Sequence, residues 1–349
     1  MLVEFTVKNY RSFRDEAVLS MEATGLSTLK SVLIPYGGLR ILPSVAIYGK
    51  NGGGKSNVIR AFWLSVQFIK NAQKTQHEKA AIPVVPFALN DYSASEPTEF
   101  SFVYTLDGTK YWYSFSATKE KVYAESLYHA PKGQKALVFS RNEQVFSFTE
   151  EKARRKLISQ IVAENQLFFS VACTMNDEVC SKAMTWFREM IYFSRDYSDI
   201  PRQLLEYSND TNMLKAISNY AKAADVGIED MRFEINSKII NEEADLPENI
   251  PDEVKNSTRA VYASALRNLE QCRNAFEDGP GHGDIYASRR SKSGNHNMYS
   301  IELADESDGT RKLMALAPAI ESVLSKGGLL LIDGIEKDLH QALVRVYHR

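Results

Sequence analysis

The sequence predicts an α/β fold, and three observations carry that prediction. An apolar segment, residues 44–49, runs into a glycine-rich turn and then into a stretch of helical period that starts at Ser56, which predicts a strand, a loop and a helix in that order. Residues 99–148 are dense in Tyr, Phe, Thr and Val, as in an antiparallel meander. Residues 151–278 have a mainly helical pattern and predict a helical insertion.

Each element has its own periodic signal. Apolar and polar residues alternate in "LVEFTVKNY", residues 2–10, as in a strand with one buried face. "SVAIYG" is more uniformly apolar, as in a central strand covered on both faces. The pair Asp107-Gly108 separates two alternating runs and predicts a tight hairpin. The helix after the glycine-rich turn has an apolar face made of Val58, Ala61, Phe62, Ser65, Val66 and Ile69.

Composition and charge indicate an ordinary soluble protein. The 349 residues are 44% hydrophobic and 25% charged, which suffices for a large core in one complex domain or in two to three lobes. The net charge is -2, so any nucleic-acid contact requires a local basic patch. The N-terminus has no leader pattern, and no stretch reaches the roughly 18 apolar residues of a membrane span. We therefore expect a cytoplasmic protein that does not bind membranes.

The cysteines and histidines predict no metal or disulfide site. Cys173, Cys180 and Cys272 lack CxxC spacing and are interpreted as buried free thiols. No HExxH pair is present, and His282 lies in a glycine-rich loop.

Each of two segments has an ordinary structural interpretation and a functional one. The aromatic residues of 99–148 are more typical of a core than of a platform on which bases stack. Residues 279–298 are rich in glycine and serine, and a solvated loop is favoured over a DNA or phosphate contact. This second segment carries three basic residues, Arg289, Arg290 and Lys292.

The segment "GKNGGGKS", residues 49–56, fits the P-loop pattern G-x-x-x-x-G-K-[ST] and lies between a predicted strand and a predicted helix. Its glycines let backbone N–H groups face a phosphate, Lys55 reaches the β- and γ-phosphates of ATP, and the Ser56 hydroxyl holds Mg²⁺. A dinucleotide-binding turn is excluded because Asn51 replaces a required glycine and no acidic residue occurs in 49–71. The predicted nucleotide-binding residues are Gly49, Asn51, Gly52, Gly53, Gly54, Lys55, Ser56 and Asn57.

Two elements near the C-terminus complete the predicted site. Asp333 ends the apolar run "LLLID" and is predicted to supply a carboxylate to the same Mg²⁺. Ser307, Gly309 and Thr310 begin a helix, a shape that suits anion binding and is equally typical of ordinary N-capping. Pro318 lies inside that helix and predicts a kink.

Four motifs in this order, "NYRSF", "GKNGGGKS", "SDGT" and "LLLIDGIEKDLH", resemble ABC-type ATPases of the RecF, SMC and OLD lineage. The resemblance is strongest to the related bacterial ATP-binding proteins of antiphage and abortive-infection systems. It implies an ABC-type P-loop NTPase head, in which N- and C-terminal segments form one mixed sheet around a mainly helical insertion. The implied divisions are the head with its P-loop, an antiparallel β subdomain, the insertion, and the C-terminal part of the head: residues 1–98, 99–150, 151–299 and 300–349.

The resemblance also implies how the site works. Two heads form a homodimer on ATP binding, and each P-loop faces the partner's signature residues Ser307, Gly309 and Thr310. Arg11 or Ser12 approaches the nucleotide, and residues 87–90 lie near the segment that senses the γ-phosphate. An effector protein encoded nearby is the implied partner.

Three departures from the family pattern bear on hydrolysis. Gly334 occupies the position of the usual catalytic Glu, so the catalytic residues are reduced to Lys55 and Asp333. In the family, Pro commonly follows the histidine that matches His340, and here that position is Gln341. The sequence ends at Arg349, before the strand and the switch histidine of the family. The sequence is compatible with a truncated or decayed head and equally with one whose missing elements come from elsewhere. In either case we expect a head that binds ATP and hydrolyses it slowly or not at all.

Two other functions use part of these motifs. A RecF-like DNA-repair ATPase would bind DNA directly, but the near-neutral charge and the absence of coiled-coil heptads count against it. A P-loop kinase would use the same loop, but it gives no reason for the "SDGT" element.

Overall fold

A computed structural model describes residues 1–25, 30–71, 81–194, 207, 210–223, 228–235, 283–290 and 298–335. The chain divides into two compact units. Residues 1–195 and 322–335 make up most of the first unit, and residues 196–321 and 336–347 make up most of the second.

The first unit contains a seven-stranded antiparallel sheet. Its strands are β1 (Leu2–Lys8), β2 (Ala17–Ser20), β5 (Thr98–Leu106), β6 (Thr109–Ala117), β7 (Val122–Ala130), β8 (Ala136–Asn142) and β9 (Val145–Phe148). They lie in the order β2-β1-β5-β6-β7-β8-β9, and a separate hairpin is formed by β3 (Ile34–Tyr36) and β4 (Leu39–Ile41). Leu106 pairs with Thr109 across a two-residue loop. The predicted meander and its Asp107-Gly108 hairpin are therefore confirmed.

Helices cover one face of this sheet. The described helices of this unit are α1 (Lys55–Asn71), α2 (Asp91–Ser95), α3 (Lys152–Ser159), α4 (Phe168–Thr174) and α5 (Glu178–Glu189), with a 3₁₀ turn at 30–32. Aromatic side chains of α1, α4 and α5 pack on the sheet. Phe102 of the sheet lies 5.3 Å from Phe62 of α1 and 5.2 Å from Phe187 of α5, between ring centroids. The predicted apolar face of α1 is buried except at Val58. Most aromatic residues of the meander thus belong to the core, as expected.

Buried ionic groups fix two of these helices. Asp177 accepts hydrogen bonds from Arg155 Nε at 2.8 Å and from the Cys180 N–H at 3.0 Å, so it caps α5. Burial opposes ionisation of Asp177, but these two bonds outweigh it and lower the pKa of its carboxyl. Glu125 accepts from the Phe168 and Phe169 N–H groups that open α4, at 2.8 and 2.9 Å. Here burial dominates and raises the pKa of the Glu125 carboxyl.

The predicted free thiols are confirmed for the two described cysteines, Cys173 and Cys180, which are buried and unbridged. Burial raises the pKa of the Cys173 thiol to about 12, so it stays protonated at neutral pH. Cys272 and His282 lie outside the described residues.

Asp333 directly follows one strand of a parallel pair. β10 (Ile191–Ser194) runs beside β14 (Leu329–Ile332), and Tyr192 pairs with Leu330. β10 lies inside the segment predicted to be helical. Four residues are too few for their period to distinguish a strand from a helix, so only the pairing with β14 defines this element.

The strand predicted from "SVAIYG" is wrong. Residues 44–49 have no regular structure, and Tyr48 is 86% exposed. A strand exists through hydrogen bonds to a neighbour, and in the described part of the chain the only parallel ladder is the one between β10 and β14. The segment is apolar, but an apolar pattern does not by itself provide a neighbouring strand with which to pair.

The described residues of the second unit form a three-stranded antiparallel sheet and two helices. These are β11 (Ile228–Ile235), β12 (Gly283–Arg290), β13 (Met298–Glu302), α6 (Thr211–Ala223) and α7 (Asp308–Lys326), of which residues 308–321 belong to this unit. A 3₁₀ turn covers 303–305, and α7 continues through Pro318. The core of the second unit contains six buried apolar residues of the described part: Ile217, Ala221, Ile228, Leu303, Met314 and Ala317.

The solvated loop predicted at 279–298 is wrong for residues 283–290, which form the central strand β12. Pairing on both sides overrides the glycine- and serine-rich composition here, and it places Arg289 and Arg290 within a sheet. Lys292 lies outside the described residues. Among the helices that the structure describes, none is long and apolar enough to cross a membrane.

Candidate functional site

The P-loop curls tightly before α1. The Gly53 N–H donates to the Lys50 carbonyl at 3.0 Å, and the Asn57 N–H donates to the Gly54 carbonyl at 2.9 Å. The N–H groups of Lys55 and Ser56 open the helix, where backbone donors have no acceptor within the helix. Together with the positive end of the helix dipole, they make the start of α1 suited to a phosphate.

Lys55 lies over the loop that it follows. Its Nζ donates to the carbonyl oxygens of Gly49 at 2.7 Å and of Lys50 at 3.0 Å. These carbonyls orient the ammonium, and no carboxylate in the described part of the chain forms an ion pair with it. The predicted role of Lys55 as a point charge for the phosphates therefore agrees with its position.

The structure brings together the two predicted magnesium ligands, which are 277 positions apart in sequence. Ser56 Oγ donates to Asp333 Oδ1 at 3.0 Å. Adjacent oxygen ligands of octahedral Mg²⁺, each at about 2.0–2.1 Å from the ion, are themselves separated by about 2.9 Å. The hydroxyl and the carboxylate therefore fit one edge of a magnesium coordination sphere, and the remaining positions would be left to phosphate oxygens and water.

The position of Asp333 depends on the strand pair. Its N–H donates to the Ser194 carbonyl at 3.4 Å, which extends the ladder between β10 and β14 by one residue. In the part of the chain that the structure describes, no group of three or more His, Cys, Asp or Glu could hold a metal.

The N-terminal "NYRSF" turn packs against the P-loop. Asn57 Nδ2 donates to Ser12 Oγ at 2.8 Å. Gly54 has φ +89°, and a Cβ at this position would lie 2.8 Å from Ser12 Oγ and 3.2 Å from the Phe13 ring. Both the backbone conformation and the close contact therefore require glycine at 54. Ser12 therefore lies beside the P-loop.

Arg11 stands next to Ser12 in a left-handed backbone conformation, with φ 48°. Its guanidinium lies over the Tyr10 ring, 5.7 Å from the centroid, and Nε donates to the Tyr10 hydroxyl at 3.2 Å. The side chain is exposed, so it is available to a ligand at this edge of the P-loop.

Asn9 is a positioning residue that the sequence reasoning missed. It is buried, and its Nδ2 donates to the carbonyls of Ser93 and Glu96 at 2.8 and 2.9 Å. Its Oδ1 accepts from the Phe87 N–H at 3.0 Å. One side chain thus ties the "NYRSF" turn to the segment 87–96. The signal in the sequence was the asparagine at the first position of "NYRSF", since Asn tolerates the observed φ of 52°.

Gly334 follows Asp333 with φ 65°, in the left-handed region. A residue with a Cβ would be strained there by about 1–2 kcal/mol. Glycine at 334 is therefore matched by a left-handed backbone conformation directly after Asp333, the predicted magnesium ligand. Glu336, Asp338 and His340, which follow Gly334 in the chain, lie outside the described residues.

The signature element belongs to the second unit and forms an N-cap. Ser307 Oγ accepts from the Thr310 N–H at 3.2 Å and lies 2.9 Å from Thr310 Oγ1. Ser307 is exposed, Gly309 is partly exposed and Thr310 is buried. The capping alternative is therefore correct for Ser307, and of these three residues Ser307 presents the most surface to a second molecule.

The comparison with protein families agrees with this geometry. A family model described as "AAA domain, putative AbiEii toxin, Type IV TA system" matches residues 44–345, a range that begins before the P-loop and ends after Asp333. Comparison with curated proteins gives no match.

Proposed function

The chain belongs to the AAA-domain family of P-loop ATPases, and from that premise we propose that it binds Mg-ATP and acts as an ABC-type, dimerising switch. The observation that carries the proposal is the contact between Ser56 Oγ and Asp333 Oδ1 at 3.0 Å. A hydroxyl at the start of the P-loop helix and a carboxylate at a strand end are the two protein ligands that phosphate-bound magnesium uses.

The magnesium step has a direct test. Asp333→Asn keeps the shape of the side chain and removes its charge, so we expect Mg²⁺ to lose most of its effect on ATP affinity. Titration of ATP in Mg²⁺ and in EDTA measures this, and the loss should be at least about tenfold. Asp91→Asn, at an exposed carboxylate on α2, is the control. An unchanged magnesium dependence in Asp333→Asn would remove the basis of the proposed site.

Dimerisation is the proposed consequence of ATP binding. By the resemblance to ABC-type ATPases, Ser307 and Gly309 complete the nucleotide site of a second copy. Two observations on Ser307 are compatible with this role: it is exposed, and it stands at a helix N-terminus, where the dipole favours negative charge. Thr310, which is buried, would support Ser307 rather than contact the nucleotide.

We expect ATP with Mg²⁺ to convert monomers to dimers, and Ser307→Arg to block that step without weakening ATP binding by the monomer. Light scattering follows the mass, and calorimetry follows the affinity. Because Ser307 caps α7, the substitution also costs about 1 kcal/mol of helix stability. Ser307→Ala removes the same cap without adding bulk or charge, so it should dimerise better than Ser307→Arg. If the mass does not change with nucleotide in the unaltered protein, the switch proposal fails.

We further propose that the switch regulates an effector protein encoded beside it. The support is the family description, which names a toxin and a type IV toxin–antitoxin system, and the resemblance to ATP-binding proteins of abortive-infection systems. The product of the neighbouring gene is the first candidate to examine for ATP-dependent co-purification. The antiphage role and the cytoplasmic location belong to this proposal.

A further inference from the structure

The face of the seven-stranded sheet opposite α1, here called the outer face, carries a cluster that the nucleotide site does not use. Trp112 of β6 pairs across strands with Tyr128 of β7, and both residues are partly exposed. Lys110 precedes Trp112 by two residues and therefore shares its face. Lys135 lies in the loop before β8.

The two lysines lie on the two rings. Lys135 Nζ is 4.9 Å from the Trp112 centroid and 4.5 Å from the Tyr128 centroid, and Lys110 Nζ is 5.1 Å from the Trp112 centroid. Neither ammonium is paired with a carboxylate of the described residues. Lys121 differs, because it lies 4.5 Å from the Tyr123 centroid and is neutralised by Glu143 at 2.7 Å.

A row of hydroxyls borders the aromatic pair. Ser114 follows Trp112 by two residues, Ser126 precedes Tyr128 by two, and their Oγ atoms are 2.9 Å apart. The row crosses six strands through the cross-strand partners Thr6, Ser101, Ser114, Ser126, Ser140 and Ser147. These side chains are small and uncharged, so they oppose neither an anion nor a flat ring laid across the sheet.

We propose that this face binds single-stranded nucleic acid, with bases on Trp112 and Tyr128 and phosphates at Lys110 and Lys135. Aromatic faces accept any base, and unpaired ammonium groups beside them attract the backbone. The near-neutral net charge requires such a contact to be local, and this cluster is local. In a duplex the faces of the bases are covered by stacking, and an acidic peptide has no bases. The two aromatic rings therefore favour single-stranded nucleic acid over both of these ligands.

Fluorescence anisotropy with a labelled 20-nucleotide oligothymidylate tests the proposal without ATP. We expect salt-dependent binding that Trp112→Ala or Tyr128→Ala weakens by about 5- to 150-fold, the value of one stacked base. Lys135→Gln should weaken binding and reduce the salt slope by about 1. Lys121→Gln removes the same charge from an already neutralised lysine, and it should leave the affinity within about twofold.

Three results would overturn the proposal: no binding, equal binding of a 20-base-pair duplex or polyglutamate, or an affinity indifferent to Trp112 and Lys135. Trp112 is half-buried, so Lys135→Gln, in an exposed loop, decides the matter if Trp112→Ala fails to fold by circular dichroism. Lys55→Ala should retain oligonucleotide binding. The proposal thus stands or falls separately from the ATP switch.

Discussion

Lys55→Ala is expected to abolish ATP binding. The ammonium lies over the P-loop, held by the carbonyls of Gly49 and Lys50, and supplies a positive charge to the phosphates. Hydrogen bonds to charged groups contribute about 1.5–3 kcal/mol each, so losing two of them to phosphate oxygens lowers the affinity by about 100-fold or more. Calorimetric titration with ATP measures the loss.

The matched control is Lys50→Ala. Lys50 is an exposed lysine of the same loop whose backbone carbonyl, not its side chain, takes part in the loop geometry. It should keep ATP affinity within a few-fold. Both variants should remain folded, with melting temperatures within about 4 °C of the unaltered protein. Unchanged ATP affinity in Lys55→Ala would show that the P-loop assignment is wrong.

The candidate nucleotide site could be predicted because the residues that define it occur in short motifs of consecutive residues. Eight consecutive residues, 49–56, fix the loop and the start of α1, and a carboxylate after an apolar run identifies Asp333. The hypothesis that one magnesium ion uses both residues places Ser56 beside Asp333, and the two side chains are hydrogen-bonded at 3.0 Å. Alternation likewise predicted the meander, because a period of two is visible in nine residues of one strand.

What could not be predicted depends on partners distant in sequence. β10 is recognisable only through its pairing with β14, and residues 44–49 pair with none of the described strands. Asn9 is important because carbonyls more than 80 positions away converge on its amide. Trp112 belonged to an aromatic run assigned to the core, and its exposure on the outer face became clear only with the sheet.

Slow hydrolysis is the second large effect that we expect. Binding requires the P-loop and Asp333, whereas hydrolysis also requires a group that positions and deprotonates water, a contribution on the order of 10² to 10⁴ in rate. Gly334 offers no such group. Against a typical enzyme turnover of about 10 s⁻¹, this predicts about 10⁻¹ to 10⁻³ s⁻¹, so ATP would hold the proposed dimer closed.

Phosphate release by the unaltered protein measures this rate, and Gly334→Glu examines its cause. The left-handed φ of 65° at Gly334 strains any side chain, so Gly334→Ala is the control that carries the strain without the carboxylate. Turnover at least about tenfold higher in Gly334→Glu than in Gly334→Ala would show that a carboxylate at 334 is the missing group. Equal rates would show that the backbone turn aims it away from the attacking water. Fast turnover by the unaltered protein, lost in Lys55→Ala, would contradict the prediction, because another residue would then activate the water.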